Sequence, residues 1–169
     1  RRHCIPVLFD RNFVTGLTRW HIDPAQNMGM FMDDATHAAD WFFWMFGRPV
    51  SVVAEIDNVL TNVAPDDTGV AIYRFPGSEY VAPGMMGILL NSSVTHAAMN
   101  TTELYGDGGV LSQDYGDSPS MSVIRPPEAK PVRLYQTSQT ERVWQFPDLP
   151  IPASHGERIA AVPRPFVEC

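Results

Sequence analysis

Cysteine is almost absent from this chain. Two stand in 169 residues, Cys4 and Cys169, too few for a disulfide framework, so a reducing cytoplasm is the expected setting. Positive charge is scarce as well. Twelve Lys and Arg against 19 Asp and Glu give a formal charge of −7, which argues against holding nucleic acid or an anionic membrane by bulk attraction. No secretory or lipidation signal is visible, and the longest apolar stretch carries Asp33, Asp34, His37 and Asp40, too polar to span a bilayer. Neither a G-x-G-x-x-G turn nor a P-loop occurs; Gly106-Asp107-Gly108-Gly109 has the spacing of a hairpin turn. The lack of His-Glu-x-x-His and Cys-x-x-Cys removes support for a local zinc motif, and the lack of Gly-x-Ser-x-Gly removes the hydrolase elbow.

What is present is enough apolar material, in a chain of this length, to bury a core as one domain. The stretch from Gly29 to Gly47 reads as one helix, opened by Gly29 and stopped by Gly47 and Pro49. Its wealth of large apolar residues (Phe31, Trp41, Phe42, Trp44, Met45, Phe46) predicts burial on most sides. Alternation predicts one or two strands over 7–14 and 16–22, then strands at 50–56, 69–75 and 86–94. Shorter ones follow at 102–105, 109–112, 121–124, 132–136 and 142–146, separated by Gly, Asp and Pro. Many strands joined by tight turns, with one strong helix ahead of them, indicate an α+β fold with a largely antiparallel sheet. The chain opens on Arg1-Arg2-His3 with no initiator Met, and Pro163 to Glu168 looks like the opening of a helix, so a fragment of a longer protein is expected.

The candidate chemistry lies on the helix. Asp33, His37 and Asp40 stand at i, i+4 and i+7 and project from one face. One reading makes His37 a general acid or base oriented by Asp33. A plainer one makes His37 a core histidine bonded to a carboxylate, with Asp40 a surface charge. A third is a carboxylate–imidazole metal site, for which no further ligand cluster is apparent. Trp20, in Arg19-Trp20-His21, either lines a pocket for a sugar face or fills the core at a strand end. His96 and His155 carry no motif.

At these residues the chain resembles the C-terminal domain of the glucose-fructose oxidoreductase / inositol dehydrogenase family, Gfo/Idh/MocA. In that family a Gly-rich turn leads into a helix carrying Asp-x-Gly-x-His-x-x-Asp, then a Gly near the helix end and a strand. The counterparts are Gly29, Asp33-Asp34-Ala35-Thr36-His37-Ala38-Ala39-Asp40, Gly47 and the strand from Val50 to Glu55. Trp20 to Pro24, Asp67 to Phe75, Thr102 to Leu111 and Pro163 to Glu168 extend the likeness over nearly the whole chain, in order. Asn27-Met28-Gly29 replaces two or three glycines and Ala35 replaces another, departures that bear on substrate fit rather than on fold.

The resemblance implies an open, mostly antiparallel sheet with helices on one face, like the C-terminal domains of dihydrodipicolinate reductase and glyceraldehyde-phosphate dehydrogenase. It makes residues 1–169 a single substrate-binding and oligomerisation domain. It implies an NAD- or NADP-dependent dehydrogenase acting on a sugar, polyol or related CH–OH compound, with His37 taking the hydroxyl proton and Asp33 binding substrate and holding His37. Arg19, Trp20, Asp34 and Asp40 become candidate substrate contacts. The family's third catalytic residue, a Lys in Glu-Lys-Pro, belongs to an N-terminal Rossmann domain; neither it nor the dinucleotide fingerprint is in this chain. The isolated domain is therefore expected to bind no cofactor and to be inactive, and to pair with further copies through its sheet face. Two alternatives stand beside this: a non-catalytic ligand-binding or dimerisation module on the same scaffold, and an NAD-dependent glycosidase.

Overall fold

Strand periodicity decides which face of the sheet is covered. In a computed structural model of the chain, strand β3 (Thr68–Arg74) buries Gly69, Ala71 and Tyr73 and exposes Val70, Ile72 and Arg74, an alternation that marks one covered and one open face. The structure describes residues 1–4, 19–95, 100–114 and 128–149, together with 156, 157 and 160. The expected strands at 7–14 and 121–124, the helix start at 163–168, and His96 and His155 lie outside the described residues.

The fold is α+β, and the chain forms two compact units, Arg1–Met99 and Asn100–Cys169. In the first, β1 (Arg2–Cys4), β2 (Ser51–Asp57), β3 and β4 (Met86–Ser92) lie side by side in the order β2-β3-β4-β1. β2 pairs with β3, and β3 with β4, antiparallel; β1 runs parallel to β4. Helix α1 (Met30–Phe46) packs on the inner face through Ala35, Ala38 and Phe42, which meet Ala71, Tyr73, Phe75 and Leu89. Phe42 sits edge-on to Tyr73 and Phe75, with ring centroids 5.2 and 6.2 Å away. Small residues let the helix lie close: a Cβ on Gly69 would come within 2.6 Å of the Phe31 ring.

The helix ends where the sequence puts them, and the reasons are physical. Gly47 takes a left-handed φ of 77° and its N–H bonds to the Phe43 carbonyl at 2.9 Å, closing the last turn. At the other end Gly29 has φ 133°, and a Cβ there would fall on the Asp66 carboxylate. That carboxylate accepts the Phe31 N–H at 2.7 Å, satisfying an amide that the first helical turn leaves open.

The expectation that α1 is buried on most sides does not hold. A helix laid on one sheet covers one stripe, here Met30, Asp34, Ala35, Ala38 and Phe42, so Met32 and Trp44 are left 63% and 80% exposed. Of the aromatic run, Trp41, Phe42 and Phe46 pack, whereas Phe43 and Trp44 do not. Residues Arg19–Ile22 form a 3-10 turn, not a strand, because Asp23-Pro24 turns the chain and the Asp23 N–H bonds back to the Trp20 carbonyl. The open face carries the cross-strand rows Val53–Ile72–Ile88 and Val70–Leu90, all exposed.

The second unit is an antiparallel meander of β5 (Asn100–Gly106), β6 (Gly109–Asp114) and β7 (Val132–Gln136). Gly106 pairs with Gly109, so Asp107-Gly108 is the two-residue hairpin turn that the glycine run foretold. The expected strand at 142–146 shrinks to one bridge, Leu134 to Gln145. Beside it Trp144 packs edge-on to Tyr135 and beneath the Arg133 guanidinium, 4.7 Å from the ring centre. Among the described residues no helix is long and apolar enough to cross a membrane.

The α1 cap generates a stability prediction. Gly29→Ala should cost about 2–4 kcal/mol, since it adds both backbone strain and a clash. In a Gly29→Ala/Asp66→Ala double variant the loss should be smaller than the sum of the two single losses, because the second change removes what the first collides with. Urea denaturation midpoints of the four proteins measure this; strict additivity would rule out the proposed contact.

Candidate functional site

Adjacent carboxylates on α1 meet different surroundings. Asp33 belongs to the outward side, half-buried, with His37 and Asp40 exposed one and two turns further on. The next residue, Asp34, is rotated inward and is 8% exposed. Sequence spacing thus brings Asp33, His37 and Asp40 to one side of the helix, and the structure places Asp34 apart from them.

Asp34 sits over the end of β4. Its Oδ2 accepts the Ser93 hydroxyl at 2.9 Å. Burial pushes its carboxyl up to about 7; the Ser93 bond opposes that rise, and the charges of Asp33 and Asp66 add to it. Two residues back along the chain, the Asn91 amide is 1% exposed with neither polar atom bonded, so the seam beneath this part of α1 is polar rather than oily. Asp66 is likewise raised by its burial, against the Phe31 N–H bond that favours its charged form.

Asp33 is held from the loop ahead of the helix. Its Oδ2 lies 3.6 Å from His21 Nε2 and accepts the Asn27 side-chain amide at 3.3 Å. Asn27 is fixed in turn, accepting the Gly29 N–H on Oδ1 at 3.0 Å and donating its backbone N–H to the Asp23 carbonyl at 2.8 Å. His21 is 8% exposed and its ring stacks on Trp20, centroids 3.8 Å apart. Trp20 itself is 40% exposed and Arg19 exposed, so Trp20 is neither at a strand end nor in the core.

Four residues of this neighbourhood escaped sequence reasoning: His21, Asn27, Asp66 and Ser93. Asn27 had a local signal, since Asn two residues before a helix-opening Gly is a common side-chain-to-backbone turn. His21 lies in a loop without periodicity. Asp66 and Ser93 reach the helix from 35 and 59 residues away. Among the described residues no group of three or more His, Cys, Asp and Glu is placed to hold a metal ion.

The Asp34 environment has a signed consequence. Unfolded, an Asp carboxyl titrates near 3.9; folded, this one keeps its proton up to about 7, so the folded state binds more protons across that window. Its contribution to stability is therefore greatest below about pH 4 and is lost as pH rises towards 7. Asp34→Asn, which cannot ionise, should be more stable than the parent at pH 8 by up to roughly 3–4 kcal/mol and no more stable at pH 4. Denaturation curves at the two pH values test it; an equal difference at both would contradict it.

With this geometry in hand, comparison with known proteins gives a consistent picture. No curated protein matches the chain in sequence. Among solved structures it is similar to the WlbA dehydrogenase of Bordetella pertussis, solved with NADH and UDP-GlcNAcA: 19% identity and TM-score 0.57, over 99% of this chain and 44% of that one. It is also similar to GenD2 of gentamicin A biosynthesis, solved with NAD: 19% identity and TM-score 0.56, over 96% and 43%. The chain thus spans under half the length of these relatives, which share its fold. A family model described as the GFO/IDH/MocA C-terminal domain matches residues 4–112, taking in α1 with Asp33 and His37 and the strands β2 to β5. This chain belongs to the GFO/IDH/MocA C-terminal domain family.

Proposed function

We propose that this chain is the substrate-side half of an NAD(P)-linked oxidoreductase acting on the CH–OH group of a sugar, polyol or related compound. The observation that carries the reading is the outward side of α1. There a half-buried carboxylate and a solvent-exposed imidazole stand one turn apart on a helix whose inner side is tied to the sheet. Family membership supports it, as does the presence of NADH with a UDP-linked sugar acid in WlbA and of NAD in GenD2.

His37 would take the hydroxyl proton as the carbon is oxidised, and return it in the reverse direction. Asp33 would accept a hydrogen bond from a substrate hydroxyl, with its second face braced by the loop. Asp40, a turn beyond, and Arg19 and Trp20, exposed beside His21, would make the outer contacts. The dinucleotide does not fit these residues. The sequence has no Gly-rich phosphate turn, and Asp33 and Asp40 would repel a pyrophosphate, so its seat is expected on the Rossmann domain that the family resemblance implies.

The intact protein should therefore change nicotinamide absorbance with some member of a panel of UDP-sugars, free sugars and polyols, tested with both NAD and NADP. With that substrate, His37→Ala should lower kcat by about 100- to 10,000-fold while cofactor affinity stays within twofold. Undiminished turnover would sink the assignment.

We also propose that the open sheet face is where two copies pair. Val53, Ile72, Ile88, Val70 and Leu90 make a contiguous apolar surface, and Ile72 is central to it. Ile72→Asp should halve the mass measured by light scattering without lowering the thermal midpoint by more than a few degrees. A mass unchanged by that substitution would move the interface elsewhere.

A further inference from the structure

The carboxylate of Asp33 depends on groups outside its own helix. Its Oδ2 has His21 Nε2 at 3.6 Å and Asn27 Nδ2 at 3.3 Å, both from the loop that leads into α1. The loop is built to keep them there. The Asp23 carbonyl accepts the N–H groups of Gln26 and Asn27 at 2.9 and 2.8 Å, and the Asp23 carboxylate accepts those of Ala25 and the Gln26 side chain at 2.9 and 2.6 Å. Trp20 closes over the imidazole, its ring inclined by only 24° to that of His21.

We propose that His21 is a positioning residue for Asp33, fixing the carboxylate beside His37 so that it meets the substrate hydroxyl in one orientation. The inference rests on the reading of Asp33 and His37 as the reacting pair. Three features carry it. The imidazole is withdrawn from solvent while the Asp33 side chain keeps 27% of its surface, so His21 braces the carboxylate from behind and leaves its other side for a ligand. At 3.6 Å the contact is an ion-pair distance and not a hydrogen bond, so Asn27 supplies the directional bond and His21 supplies the polar stop and the opposing charge when protonated. A buried imidazole needs polar company, and the Asp33 carboxylate provides it for His21. Trp20 accordingly acts through His21, as the plate that holds the ring, and not only as a surface for substrate.

A misplacement of about 1 Å in such a group costs up to roughly 100-fold in rate. The test uses the intact protein with the substrate found in the panel above, comparing His21→Gln, which keeps an N–H donor near the position of Nε2, with His21→Leu, which keeps the volume alone. His21→Leu should lose about 10- to 100-fold in kcat, as displaced groups do, with KM for the cofactor unchanged, and His21→Gln should recover most of it. Full activity in His21→Leu overturns the proposal, and so does an equal loss in both variants, which would mark His21 as packing. Asp33→Asn and His37→Ala are run alongside: if those two retain full turnover, the reading of the reacting pair fails, independently of any change at His21. Should His21→Leu not fold, His21→Asn takes its place: its shorter amide is drawn back from Asp33, so it should lose about 10- to 100-fold in kcat where His21→Gln does not, and full activity in His21→Asn overturns the proposal.

Discussion

The Asp66 carboxylate, tucked under the first turn of α1, is the contact on which the rest of the first unit depends. It supplies the helix start that Gly29, with no side chain, does not. Its neighbour Asp67 does the complementary task. Burial would raise the Asp67 carboxyl, but N–H bonds from Val59, Leu60 and Thr61 at 2.9–3.0 Å outweigh it and hold the group below its ordinary value. The β2–β3 connection is wound around that carboxylate. The Asp67 carbonyl then accepts the Ser93 N–H at 2.9 Å, and the Ser93 hydroxyl returns to Asp34 on α1. Two consecutive aspartates thus close a polar circuit that runs from helix to loop to β4 and back.

That circuit separates two chemistries that the sequence writes side by side. Asp33 and Asp34 differ by one step of about 100° around the helix, and the difference decides everything about them. Asp34 is cut off from water, favours its neutral form and serves to fasten α1 to β4. Asp33 stays within reach of solvent, on the side of the helix that carries His37. The inner fastening gives the outer pair a rigid base.

Much of this is legible from residues, and the limits have physical causes. The bounds of α1 follow from Gly29, Gly47 and Pro49, and the Asp107-Gly108 hairpin from its turn chemistry, because each is decided by conformational preferences local to the chain. Strand β2 shows in its β-branched residues, which favour an extended chain. What a helix touches is another matter. The aromatic content of α1 announces burial but does not say that a single sheet covers a single stripe, so Trp44 reads as core and is exposed. The 3-10 turn at Arg19–Ile22 hides behind four residues that also suit a strand. Partners brought in from far along the chain, Asp66 to Phe31 and Ser93 to Asp34, leave no spacing to read, and His21 sits in a loop where no period exists. The family resemblance rests on local motifs and so reaches Asp33 and His37 but not His21 and Asn27, which hold Asp33.

The distance along the chain between α1 and its cap bears on how the protein acquires its shape. Starting a helix is the costly step, and 17 residues is close to the length at which an isolated helix is marginal in water. This one begins at a glycine whose cap lies 35 residues downstream of Phe31. The cap of this helix is therefore complete only once the β2–β3 connection has folded back onto Phe31, so α1 and the β2–β3 hairpin are expected to become ordered together rather than one after the other.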